Sequence, residues 1–277
     1  MDPIQEAFAL RLQEKGVEVT STQLEQFETY YRELVKWNEK MNLTGITDRE
    51  QVYTKHFYDS ISLAFYIDMN DVRTMADIGS GAGFPGIPLK ICYPHVQLTI
   101  IDSLNKRINF LKHVVQETGL EQVQLCMEGP KTGHANRNIG ISTTSSPRVP
   151  SPSSPYLTNS AFLMRRWAGG VFAAMKGSSP DEEIREASRS FKELKGKLQR
   201  VERLTLPIEE AERHIVVIDK TAATPGKYPR KAGTALKTPV VSRQHLSIKT
   251  TSCMIFEECF TWNIPLFYAG IGKGRCG

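Results

Sequence analysis

The sequence predicts an α/β fold: a mostly parallel sheet with helices on both faces, preceded by a helical N-terminal segment. Three observations predict it. Apolar residues recur at helical spacing over the first 70 residues, and from Arg73 strand-like and helix-like stretches alternate. A glycine-rich turn, Asp77-Ile-Gly-Ser-Gly-Ala-Gly-Phe-Pro-Gly86, then joins the first strand to the first helix of that alternation. With 277 residues, 40% hydrophobic and 23% charged, the chain can bury a core as one large domain or two smaller ones.

Pro3 to Lys15 carries Ile4, Phe8 and Leu12 on one face before Gly16, and Ser21 to Met41 carries Leu24, Phe27, Tyr31 and Leu34. A third helical segment, Asp48 to Ile67, opens on an acidic cap. Tyr30, Tyr31 and Trp37 read as core stripe rather than a base-stacking platform, because their spacing is helical. The first strand runs into Asp77. Pro85 and Pro88 fall where a first helical turn tolerates them, and Pro94 stops that helix. The second strand ends at Asp102. The helix after it places Leu104, Ile108, Leu111 and Val115 on one face, with Ser103 as candidate cap and Gly119 as stop; Val123 to Met127 is the third strand.

The pattern then lapses. Of the nineteen residues Ser142 to Ser160, fourteen are Ser, Thr or Pro, where a doubly wound fold needs another strand and helix. Order returns with the strand Val171 to Met175 and with Lys176-Gly177. A helix follows, opening on Ser179, Pro180, Asp181, Glu182 and Glu183, with Ile184, Ala187, Phe191, Leu194 and Leu198 as its buried stripe. Val201 to Leu206 and His214 to Asp219 suit a closing antiparallel hairpin. The organisation expected is therefore 1–70 as a helical segment packed on the core, 71–241 as the sheet domain with an irregular 129–168, and 242–277 as an anomalous tail.

Five cysteines show neither a Cys-x-x-Cys pair nor regular spacing with histidines, so neither a metal site nor a disulfide framework is expected. No apolar stretch approaches a membrane span and Met1-Asp2-Pro3 begins no basic-then-apolar leader, which points to a cytoplasmic protein with no membrane partner. The net charge of +5 does not by itself argue for nucleic acid. Between Pro130 and Pro180 lie six Lys or Arg residues and no Asp or Glu, which leaves the rest of the chain close to neutral.

The glycine turn carries the chemistry. Strand, turn, helix, strand and acid describe a site for an adenosine-containing cofactor, with Asp102 placed to accept ribose hydroxyls and the turn's backbone N–H groups able to approach the ligand. Gly81 to Gly86 also satisfies Gly-x-Gly-x-x-Gly with Asp102 twenty-one residues on, so spacing leaves a dinucleotide and a nucleotide-dependent oxidoreductase open. Asp77 ahead of the turn favours S-adenosyl-L-methionine, whose methionine amine is cationic and which has no pyrophosphate to neutralise. A helix cap is the plainer reading of Asp102.

Six motifs in order carry a family resemblance: Asn42-Leu-Thr44, Lys55-His-Phe-Tyr-Asp-Ser60, Asp77 to Leu89, Ile101 to Leu111, Lys176-Gly177 and Tyr228-Pro-Arg-Lys-Ala-Gly233. Together they resemble the bacterial 16S ribosomal RNA guanine-N7 methyltransferases, the glucose-inhibited division protein B type, over residues 1 to about 125 and about 169 to 241. The resemblance implies a Rossmann-like class I S-adenosylmethionine-dependent methyltransferase sheet and methyl transfer to N7 of a guanine in 16S ribosomal RNA, by a monomer acting on RNA or the small ribosomal subunit. It further implies Gly79, Ser80, Gly81 and Gly83 along the methionine portion, Asp77 near its amine, Asp102 and Ser103 at the ribose, and Phe84 and Pro85 at the methyl end. Lys106, Arg107, Arg230 and Lys231 are candidate RNA contacts, each with a solvated-surface alternative, and Lys176 is a candidate for the reacting end. His56, a lone histidine among aromatics, reads as a structural residue.

The chain departs from the family between Cys126 and Ala168, where an Arg-Ala-Glu element and an Ala-Arg-Ala motif with a substrate-facing arginine are both absent. The sharp edges of that stretch suggest the hypothesis of two compensating frameshifts, with a similar origin for the tail. Translating the other frames over codons 126 to 168 tests this, and recovery of neither motif overturns it. A catalytically inactive cofactor- or ribosome-binding homologue therefore stands beside the enzyme reading.

Overall fold

The computed structural model describes residues 2–127, 161–166, 169–177, 179–208, 210–222 and 225, of which 161–166 and 169 are described by their backbone. The expected Arg230 and Lys231 contacts, the tail, and all of 129–168 except 161–166 lie outside the described residues.

Helix α1 (Pro3–Gln13) starts at Asp2, whose carboxylate accepts the Ile4 and Gln5 N–H groups. Helix α2 (Ser21–Met41) starts with a capping box, Thr20 and Gln23 answering each other's N–H. The Gln23 amide also donates to the Ile91 and Cys92 carbonyls, and that of Gln26 to the Thr118 carbonyl. Side chains of α2 thus satisfy orphan carbonyls at the ends of two later helices. The third helical segment is broken into α3 (Arg49–Val52), a π-helical turn (Tyr53–Tyr58), α4 (Asp59–Ile61) and a 3₁₀ turn (Ser62–Phe65). Hydroxyls of Thr54, Ser60 and Ser62 bond to backbone carbonyls one turn back, and Tyr53 and Phe57 both face an aromatic column with Phe8 and Phe27 at ring separations of 5.0–5.2 Å.

Seven strands form one sheet in the order β3-β2-β1-β4-β5-β7-β6. They are β1 (Thr74–Ile78), β2 (Gln97–Asp102), β3 (Val123–Met127), β4 (Ala161–Arg166), β5 (Gly169–Lys176), β6 (Gly196–Thr205) and β7 (Glu212–Lys220). Helices α5 (Gly86–Cys92), α6 (Asn105–Glu117) and α7 (Asp181–Glu193) connect them. Strands β1, β2 and β3 are parallel, and β6 and β7 form the expected closing hairpin. One core cluster runs from Phe8 through Tyr30 and Phe57 to Ile100 and Val217; a second lies under α7, with Phe172, Ala187 and Val216. Among the described residues no helix is long and apolar enough to cross a membrane.

The strand expected after β3 is present as β4, but it runs antiparallel to both β1 and β5. Only two residues separate β4 from β5 in the sequence. A parallel neighbour needs a crossover of about a dozen residues or more, so the pair closes as a hairpin and no helix fits between them.

Candidate functional site

The site lies at the C-terminal ends of β1 and β2, where ligands bind in open α/β sheets. Asp77, the fourth residue of β1, is fully buried. Its Oδ2 accepts the Ser80 hydroxyl at 2.6 Å and the Gly86 N–H at 2.9 Å, whereas its Oδ1 is buried with no hydrogen-bond partner. Burial pushes this carboxyl up to about 7; the two hydrogen bonds oppose that shift and the charge of Asp102 adds to it.

The glycines divide into two kinds. Gly79 and Gly81 have φ of 74° and 63°, and a Cβ at either would meet nothing within 4 Å, so the loop is open there. Gly83 and Gly86 are closed. A Cβ at Gly83 would lie 2.7 Å from the Tyr30 hydroxyl and 2.8 Å from Leu111, and one at Gly86 would lie 2.6 Å from Asp77 Oδ2.

Asp102, at the end of β2 and 2% exposed, accepts the Gly81 N–H at 3.1 Å and an Arg107 N–H at 3.4 Å through Oδ2, and the Leu104 N–H at 2.9 Å through Oδ1. Two sequence expectations are corrected here. Ser103 is not the cap of α6, because Leu104 occupies that position without a side-chain bond and the Asp102 carboxylate takes its N–H instead. Nor do the turn's amides all face a ligand. The N–H groups of Gly79, Gly81, Gly83, Phe84 and Gly86 donate to Ile101 O, Asp102 Oδ2, Ser80 O, Ser80 O and Asp77 Oδ2. Five of the turn's amides are thus used internally, and an anion could reach only those of Ser80 and Ala82 without displacing a bond, whereas the uncommitted oxygen of Asp77 suits a cation.

Phe84 is half-buried and joined to the buried Pro85 by a cis peptide bond. The His56 ring stacks on it with centroids 4.6 Å apart, and His56 Nε2 lies 2.8 Å from Thr44 Oγ1, so two of the sequence motifs meet on the glycine loop. Burial lowers the His56 pKa to about 4, leaving the ring neutral at pH 7.

The remaining candidates are spread out. Lys106 is exposed on α6, and Arg107 on the same turn folds back to Asp102. Lys176, at the end of β5, is 13% exposed and paired with Glu183 of α7 at 2.8 Å. Sequence reasoning missed Tyr30, whose hydroxyl donates to the Ala82 carbonyl at 2.6 Å, and the pair Asp59–Arg213, Oδ2 to Nε at 2.8 Å, beside Gly177. Asp59 stands in the Lys55–Ser60 motif, but the sequence holds no sign of its partner 154 residues on. Among the described residues no three of His, Cys, Asp and Glu come together as metal ligands.

The family rRNA small subunit methyltransferase G matches residues 23–216. Three relatives bear the name ribosomal RNA small subunit methyltransferase G. That of Bacillus velezensis is 46% identical over 235 residues, that of Bacillus licheniformis 45% over 236 and that of Bacillus thuringiensis 46% over 240, each match covering 85% of this chain and 98% of the relative. With the family spanning the chain from the first turn of α2 into β7, and with relatives matched almost end to end, the chain belongs to the rRNA small subunit methyltransferase G family.

Proposed function

We propose that the protein transfers the methyl group of S-adenosyl-L-methionine to N7 of a guanine in 16S ribosomal RNA. One observation carries the cofactor: a loop most of whose amides are committed internally and whose buried Asp77 keeps one oxygen free, which favours a cationic amine over a diphosphate. Family membership carries the RNA substrate and leaves the oxidoreductase reading without support.

When bound, the cofactor supplies an electrophilic sulfonium methyl. Asp77 would hold its amine from beneath the loop, the open faces of Gly79 and Gly81 would admit the methionine chain, and Asp102 would anchor the ribose with the lone pairs it has left. Phe84, braced by His56, would wall the methyl end and keep water out. Guanine N7 is a lone pair that needs no base, so the work of these residues is proximity and orientation. A neutral His56 is consistent with that division.

A second reading, a homologue that binds the cofactor without transferring, is favoured by the reversed β4 in the sheet position next to β1 and by the absence of the family's Ala-Arg-Ala motif from the sequence. Incubation with radiolabelled cofactor and small-subunit RNA, followed by chain cleavage selective for 7-methylguanine, tests the proposal. Label at a cleavable guanine supports it. Cofactor binding by calorimetry without label in RNA supports the second reading.

A further inference from the structure

The glycine loop is held from behind by a residue outside the sheet. Tyr30 is fully buried in α2, and its hydroxyl donates to the carbonyl of Ala82, itself 5% exposed. The same hydroxyl fills the space that a Cβ on Gly83, whose φ is 102°, would need. The Tyr30 ring lies between Phe57 at 5.3 Å and Phe84 at 5.5 Å, so it touches the loop both at its apex and where it enters α5. At Gly79 and Gly81 an added Cβ would instead meet nothing within 4 Å.

We infer that Tyr30 is a positioning residue of the cofactor site: its hydroxyl and ring fix the Ala82–Phe84 apex in the conformation that leaves Gly79 and Gly81 open. The Ala82 carbonyl is buried, and without the hydroxyl it would have to find another donor by turning its peptide plane. Turning that plane moves Gly83 and, with it, Phe84. The helical N-terminal segment then shapes the glycine loop through the Tyr30 bond as well as the His56–Phe84 stack, and is not only a cover for the core. The inference about affinity rests on the cofactor reading above; the inference about the loop does not.

The test compares the full chain with Tyr30→Phe and with Phe27→Leu, a control in the same aromatic column that reaches Phe57 but not the loop. Amide hydrogen exchange of the cofactor-free protein should rise at least five-fold over residues 79–86 in Tyr30→Phe and stay unchanged there in Phe27→Leu. Calorimetric titration with S-adenosyl-L-methionine should show about ten-fold weaker binding for Tyr30→Phe, less than two-fold for the control, and unaltered affinity of both for small-subunit RNA. Unchanged exchange over 79–86 in Tyr30→Phe overturns the positioning role, as does a dissociation constant within two-fold of the parent. If the parent gives no heat with the cofactor, the cofactor reading fails and the exchange result alone decides the loop. Should Tyr30→Phe not fold, both variants are measured in a stabilising osmolyte with the same expectations, and unchanged exchange over 79–86 there overturns the positioning role.

Discussion

The Asp102 carboxylate holds the N–H of Gly81 at 3.1 Å, tying the end of β2 to the open side of the glycine loop. This bond joins the helix-cap and cofactor readings of Asp102, since the other oxygen takes the Leu104 N–H that starts α6. A carboxylate has about four acceptor positions, and three donors already use them. The acid therefore organises the loop before any ribose arrives.

Asp102→Asn should accordingly weaken cofactor binding about 10- to 100-fold, the range expected for charge-assisted hydrogen bonds of about 1.5–3 kcal/mol, while the protein stays folded. Asp102→Ala should also lower the melting temperature, because the Gly81 and Leu104 N–H groups both lose their acceptor. Calorimetry with scanning fluorimetry on the two variants checks this; an Asn variant that binds as the parent does removes Asp102 from the site.

Gly81→Ala and Gly86→Ala separate folding from binding. At Gly81 an added methyl meets open space and only the left-handed backbone opposes it, about 1–2 kcal/mol, so the variant should fold and fail to bind. At Gly86 the methyl would lie 2.6 Å from a carboxylate oxygen, and the fold itself should suffer by about 3 kcal/mol or more. Urea titrations read the stability of both and calorimetry with the cofactor the binding; a Gly81→Ala variant that binds as the parent does would show that the open face of the loop is not a ligand surface.

Arg213 of β7 compensates Asp59 of α4. Burial raises the Asp59 pKa while the Arg213 charge and hydrogen bond oppose it, and its second oxygen has no partner. Arg213→Ala strands that carboxylate and should cost about 3–5 kcal/mol; the double variant with Asp59→Leu should recover most of the loss. A double-mutant cycle by chemical denaturation measures the coupling, and additive single losses would mean that the pair is an incidental contact.

Much of this fold is written locally. The α2 stripe, the Thr20 capping box, the Asp77 turn and the strand ending at Asp102 are each set by residues within a few positions of one another, and the sequence shows them. What it hides depends on distant partners. Tyr30 reads as core because its ring is core; that its hydroxyl reaches Ala82, 52 residues on, has no periodic signature. The internal use of the loop amides is equally silent, since a glycine turn that cradles an anion and one that bonds to its own strand ends share a spacing. The direction of β4 follows from a two-residue link in a stretch whose composition gives no period.

Asp77 makes stability depend on pH in a way that inverts the usual carboxylate rule. An acid in the unfolded chain titrates near about 3.9, and in the fold burial pushes Asp77 up to about 7. Between those values the native protein keeps a proton that the unfolded chain has lost, so this site's contribution is full below about pH 4, falls as pH rises through the window, and is flat above about 7. Asp77→Asn removes the titration while leaving an acceptor for the Ser80 hydroxyl and the Gly86 N–H. Urea unfolding of the cofactor-free protein at pH 5 and pH 8 should show the parent losing about 2–3 kcal/mol more than the variant over that interval. A parent and variant that change in parallel would place the titration of Asp77 outside this range.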